Sequence, residues 1–269
     1  MAHRIAKHTW FMICIVTAAL NASGNTLMVP SEEFPTIEHA MSRAGSGDTV
    51  MVKDGEYKGS FHINPGVTLK AENLFGAVLS GGGRGTVVTL STGSTVSKFE
   101  IRDGTIGVFS TSAHASVVKC RIAFNQQSGI LCVGHLPKIE DNVIVFNRGS
   151  GIQGWDVRTT RASISHNTIA YNDNHGISLG GETDITVEHN IIANNSQFGL
   201  NPGDENVRIE LNNNNFWNNS KFTGVLPGNN ISYDPMFVEP KTMNFTLQRE
   251  SRLAGLGDRN QNLGARLVY

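Results

Sequence analysis

His166-Asn167-Thr168-Ile169-Ala170-Tyr171-Asn172 is a phrase that this chain uses repeatedly. It returns as His189-Asn190-Ile191-Ile192-Ala193-Asn194-Asn195 and occurs earlier as Asp141-Asn142-Val143-Ile144-Val145-Phe146-Asn147. Lys119-Cys120-Arg121-Ile122-Ala123-Phe124-Asn125 fits the same frame, and Asn212-Asn213 through Trp217-Asn218 fits it less closely. The closing Asn residues, at 125, 147, 172, 195 and 218, are separated by 22, 25, 23 and 23 positions. Four residues after most of them comes a Gly and an apolar residue: Gly129-Ile130, Gly151-Ile152, Gly176-Ile177, Gly199-Leu200. A recurring unit of this length predicts a stacked architecture.

The content of each unit decides which stack it is. Runs of three to five residues rich in Ile and Val, punctuated by Asn, Gly and Asp, carry strand and turn chemistry and lack helical spacing. Three short strands and three turns per unit make one rung of a parallel β-helix, with rungs roughly 4.8 Å apart. Asn167 then lies over Asn190, and Asn172 over Asn195, as amide ladders that stabilise turns.

These repeats resemble the right-handed parallel β-helix repeat family of the pectate-lyase-like superfamily over most of the mature chain. The early run Pro35-Thr36-Ile37, Gly47-Asp48-Thr49-Val50 and Asp54-Gly55-Glu56-Tyr57 resembles the N-terminal cap and first rungs of secreted members, polysaccharide lyases among them. The resemblance implies an all-β fold, a right-handed parallel β-helix solenoid, with an N-terminal capping helix. That helix is expected over Phe34 to Ala44, where Ile37, Ala40, Met41 and Ala44 share one face and Gly45 follows. It would close the exposed edge of the first rung.

Residues 1–24 read as a signal peptide: Arg4 and Lys7, an apolar run from Trp10 to Leu20 too short to span a bilayer, then Ala22-Ser23-Gly24. Export is expected, to the periplasm or beyond, with no integral membrane segment after cleavage. Residues 25–269 then form one domain: cap and first rungs over 25–65, rungs over 66–227, and a closing segment over 228–269 that covers the far end of the coil. A net charge of −1 and the lack of a basic stripe argue against nucleic acid as partner. Cys120 takes a ladder position and Cys132 lies on the next strand, so two buried free thiols are expected. Gly81 to Gly85 lacks the Lys-Ser/Thr of a phosphate loop and reads as a tight turn.

Chemistry is less legible. The resemblance implies lyase sites on the outer face of one sheet, where carboxylates hold calcium and Arg or Lys abstracts a proton. The outward positions after each Gly-apolar pair are Leu131, Gln153, Ser178 and Asn201, none of them charged. Just beyond lies a polar turn column: His114, His135, Asp156 with Arg158, Glu182 with Asp184, and Asp204 with Glu205. Arg158, Asp156, Glu182 and His135 are the catalytic candidates, with Trp155 and Gln153 to hold a sugar. A second column, Lys119, Asp141, His166 and His189, precedes the ladder. No metal site is expected there, and His166, His189 and Asp141 are the only candidates for one. Calcium is the cofactor to expect if the protein is a lyase. The sequence thus points to an acidic polysaccharide as partner and leaves cleavage or epimerisation open. The alternative is a non-catalytic solenoid for surface binding or periplasmic ligand delivery.

Overall fold

A computed structural model describes residues 24–158, 160–203, 206–220 and 226–267, without the side chains of residues 160 and 161. All of the expected leader except Gly24 lies outside the described residues. Three parallel sheets, A, B and C, enclose one interior, with nine, eight and seven strands respectively. Within each sheet, neighbouring strands come from successive rungs. One rung runs from Ile130–Val133 in sheet C through Lys138–Glu140 in sheet A to Val143–Val145 in sheet B.

Register sorts the side chains. Ile122 pairs with Ile144, Ile144 with Ile169, and Ile169 with Ile192, so strand alternation stacks each Ile on the last inside the coil. All four are fully buried, each worth roughly 2 kcal/mol of transfer free energy. Beside them run two buried Asn ladders. Asn142, Asn167 and Asn190 each donate Nδ2 to the next Oδ1 at 3.0, 3.0 and 2.9 Å. Asn125, Asn147, Asn172 and Asn195 do the same at 2.9, 3.0, 3.0 and 2.9 Å.

In the last rung the ladder partners are Asn214 and Asn219, one position beyond the sequence frame. Asn213 and Asn218 instead take the left-handed turn that precedes each ladder residue, with φ of +52° and +48°. Cys120 stands at the head of its ladder, its N–H donating to Asn142 Oδ1. Cys120 and Cys132 are buried free thiols, and burial pushes both up to about 12.

Helix α1 spans Ile37–Arg43, shorter than the expected Phe34 to Ala44. Thr36 Oγ1 accepts from the His39 N–H and so starts the helix after Pro35, while Ala44 is already extended. The helix buries Ile37, Ala40 and Met41 and packs on strands Thr26–Val29, Thr49–Val52 and Phe61–Ile63.

The closing segment departs from expectation. Asn230 extends the first ladder from Asn214, and Ile231 bridges Asn215, but the chain then turns back along the outside of sheet B. There Phe237, Phe245, Leu253 and Leu263 pack on Ala123, Val143, Val145, Ala170, Ile191 and Ala193. These outward positions are apolar, unlike Glu56, Glu100 and Arg102 on the same face of earlier rungs, and burying them favours a strap along the flank over a lid on the end.

Candidate functional site

From the rung of Cys120 onward, rung length varies on one side only. The two ladder positions of a rung are five residues apart throughout, as in Asn142 and Asn147, and the next Gly follows four later, as in Gly151. From that Gly to the following ladder position the chain takes 13 residues from Gly129, 16 from Gly151, 14 from Gly176 and 15 from Gly199. In these rungs all the variation therefore falls where sheet C passes into sheet A. The longest of these stretches carries Gln153, Trp155, Asp156 and Arg158.

Gln153 pairs with Leu131 and Ser178, and Ser178 with Asn201, as one outward column of sheet C. Leu131 and Ser178 are nonetheless buried, so Gln153 and Asn201 present most of the column's polar surface. Ser150 Oγ donates to Gln153 Oε1 at 3.3 Å, and Asn201 Nδ2 donates to Ser178 Oγ at 3.2 Å.

The register with the next rung shifts between Gly154 and Val157, and Asp156 takes a left-handed φ of +49°. A Cβ on Gly154 would meet Val157 and Leu179 inside, so glycine lets Val157 tuck in and turns Trp155 out. Trp155 is 55% exposed. Arg158 Nη2 reaches both Asp156 oxygens at 3.1 Å, and Nε reaches Oδ1 at 3.2 Å.

Backbone bonds join these turns across three rungs. The Gly134 N–H donates to Trp155 O, the Arg158 N–H to Gly134 O, and the Glu182 N–H to Val157 O. His135, Asp156, Arg158 and Glu182 thus sit on adjacent exposed turns of successive rungs. Asp204 and Glu205, the last members of the expected column, lie outside the described residues.

The second column follows the left-handed corner between sheets A and B: Lys119, Asp141, His166 and His189 all have φ near +55°. The His166 and His189 rings stack at 4.9 Å between centroids and 6° between planes. An imidazole binds a metal in its own ring plane at about 2 Å, so one ion cannot serve two stacked parallel rings. Asp141, the third candidate, is held by Arg266 through Nε at 2.7 Å and Nη2 at 3.1 Å. Burial holds His166 below the ordinary imidazole range, and Arg266 pushes the same way.

Residues 42–245 match the family model described as periplasmic copper-binding protein, NosD. The chain belongs to the NosD family. Two solved structures are similar in part. One is a mannuronic acid-specific polysaccharide family 6 lyase from human gut microbiota, at 15% identity and a TM-score of 0.49, covering 72% of this chain and 54% of that one. The present chain thus spans about half the length of that lyase. The other is pectate lyase Pel9A, at 13% identity and a TM-score of 0.49, covering 91% of this chain and 96% of that one. No curated protein matches.

The NosD description raises copper, whose sites draw on thiolate, thioether and imidazole donors. Here Cys120 and Cys132 are buried with their thiols kept protonated, and the paired imidazoles are stacked. Among the described residues no three His, Cys, Asp or Glu groups gather around a point. The described imidazole, thiol and carboxylate groups therefore make no copper site among themselves, and the uncharged sheet C column does not fit calcium.

Arg266 and Asp258 escaped sequence reasoning, because they reach the histidine column from the far end of the chain. The run of outward Val, Ala and Ile in sheet B, too apolar for a bare wall, signals that a strap covers it but not which residues anchor that strap.

Proposed function

We propose that this NosD family member is an exported protein that binds an acidic polysaccharide along the edge where sheet C passes into sheet A. Trp155 carries the reading. A large ring 55% exposed on a regular wall, turned out by a bulge, is a platform for the apolar face of a sugar. Gln153 offers an amide on one side of it. On the other, Arg158 is held by Asp156 with its guanidinium fork partly engaged, a group for which a uronate carboxylate competes. His135 and Glu182 flank the same turns and set the width of the surface.

Binding is favoured over cleavage or epimerisation. The column Leu131, Gln153, Ser178 and Asn201 brings no carboxylate to clamp calcium against a uronate, and Asp156 holds the Arg158 guanidinium in its charged form, which is not the form that takes a proton. The periplasmic description of the family and the leader expected over residues 1–24 both agree with work outside the cytoplasm.

The test is titration of the full chain with a panel of uronate polymers, with and without calcium, while absorbance of unsaturated product is followed. Binding without product is expected, with Trp155→Ala at least tenfold weaker and Arg158→Ala weaker for acidic but not neutral glycans. Trp155→Ala binding as tightly as the parent, or no polymer binding at all, would overturn the reading. Unsaturated product lost in Arg158→Ala would replace it with a lyase.

A further inference from the structure

We infer that a cleft between the C-terminal strap and the flank of the coil binds a sugar monocarboxylate of one or two rings, with Lys119 meeting the carboxylate. The cleft lies at the corner between sheets A and B, away from the Trp155 edge, and encloses about 550 Å³. That volume suits a small organic ligand. Its walls combine the apolar Phe245, Leu247 and Leu267 with the exposed amides of Asn260 and Gln261 and the hydroxyl of Thr168. A pyranose has the same division, with C–H on its faces and hydroxyls around its rim.

Charge selects within that class. Arg266 also lines the cleft, but its guanidinium is spent: on Asp141 at 2.7 and 3.1 Å, on Glu140 at 3.1 Å and on Asp258 at 3.4 Å. Lys138 is taken by Glu140 at 2.6 Å. Lys119, one rung above Asp141, makes no ion pair among the described residues. It is the one cation of this cluster left for a ligand. Arg266 and Lys138 are shared among three carboxylates, so a phosphate chain or a dicarboxylate brings more negative charge than Lys119 offsets, while a single carboxylate pairs with Lys119 alone. The C6 carboxylate of a uronate, on a ring that fits the cleft, matches this pattern.

Substitution here is clean. Lys119 has a φ of +55°, and Asn213 occupies the same corner at +52°, so Lys119→Asn removes the charge and keeps the backbone. The Gln261 side chain can be cut to Ala while its backbone still bonds Asp258 and Gly257.

The experiment is calorimetric titration of the full chain with D-galacturonate and with D-galactose, which differ at C6 alone. Galacturonate should bind at least tenfold more tightly than galactose. Lys119→Asn should bring it down to the galactose level, Lys119→Arg should restore most of the difference, and Gln261→Ala should weaken both sugars. Lys53→Ala, an exposed lysine on the first rung and outside both sites, should change nothing. Undiminished galacturonate binding by Lys119→Asn, its loss in Lys53→Ala, or no saturable binding would overturn the assignment. Polymer binding through Trp155 stands or falls separately, since it is read on different variants.

Discussion

Asp141 and Arg266 are 125 positions apart in the chain and meet at 2.7 Å, Oδ1 to Nε. Asp141 is almost wholly buried by the strap, while Arg266 keeps a quarter of its side chain exposed in the cleft wall. Arg266→Ala should cost about 3 kcal/mol, the usual penalty for stranding one member of a buried pair. It should also loosen the strap from sheet B. The check is a denaturation midpoint together with binding of an apolar dye; an unchanged midpoint and no dye signal would show that Phe245 and its neighbours hold the strap alone. Arg266→Lys should recover only part of the loss, because a point charge does not reproduce the fork.

Acid should weaken the same region in two stages. Burial, aided by Arg266, holds His166 below its free value, so the unfolded chain binds a proton that the folded one resists. Stability from this group is complete above roughly pH 6.5 and is lost as pH falls from there towards the folded value. Burial would raise Glu140, but Lys138 and Arg266 outweigh it and the net shift is downward. Its contribution is present above roughly pH 4.5 and disappears as pH drops through the folded value. His166→Phe, which keeps a flat ring on His189, should abolish the first stage and leave the second. Midpoints measured from pH 8 to pH 3 would separate the two.

Asn172→Ala should be among the most damaging single changes in the coil. Asn172 Oδ1 accepts from the N–H and the side-chain amide of Asn147, and its own amide donates to Ile144 O, Ala170 O and Asn195 Oδ1. Truncation leaves several of these groups dry and unpaired, at about 1 to 3 kcal/mol for each. Thermal unfolding should fall steeply, and amide exchange should quicken first in the rungs holding Asn147 and Asn195. Exchange that quickened evenly along the chain would argue against a local ladder.

Gly176→Ala should destabilise although a methyl group is the smallest possible addition. Its Cβ would come 2.6 Å from Gly199 O, 2.7 Å from Ile192 Cγ2 and 2.9 Å from Asn195 Nδ2. None of the three is free to move, so a loss of about 1 to 3 kcal/mol is expected. Gly134→Ala, where nothing lies within 4 Å but φ is +74°, should cost only the backbone strain, roughly 1 kcal/mol. Paired melting curves would show whether that ranking holds.

The coil was readable in the sequence because its rules are local and repeated. Asn167 and Asn190, Ile169 and Ile192, Gly176 and Gly199 each announce the same position in consecutive rungs. The frame slipped only at Asn213 and Asn218, where a run of asparagines from Asn212 to Asn215 offered two equal registers and the left-handed turn chose between them. The strap was not readable. Its anchor, Arg266 on Asp141, depends on a contact that no periodicity encodes, and its effect on the histidine column could not be seen without it. At the sheet C edge, Trp155, Asp156 and Arg158 were recognised as a group, but their exposure comes from a bulge that shows in the sequence only as one extra-long rung.

Since every change in rung length from Gly129 to Asn214 is absorbed where sheet C passes into sheet A, this part of the coil behaves as a rigid spine with one permissive seam. New residues can be spliced in at that seam without shifting a single ladder amide, whereas the same splice between Asn142 and Asn147 would throw all later rungs out of phase. The seam is therefore where a designer should graft a foreign loop.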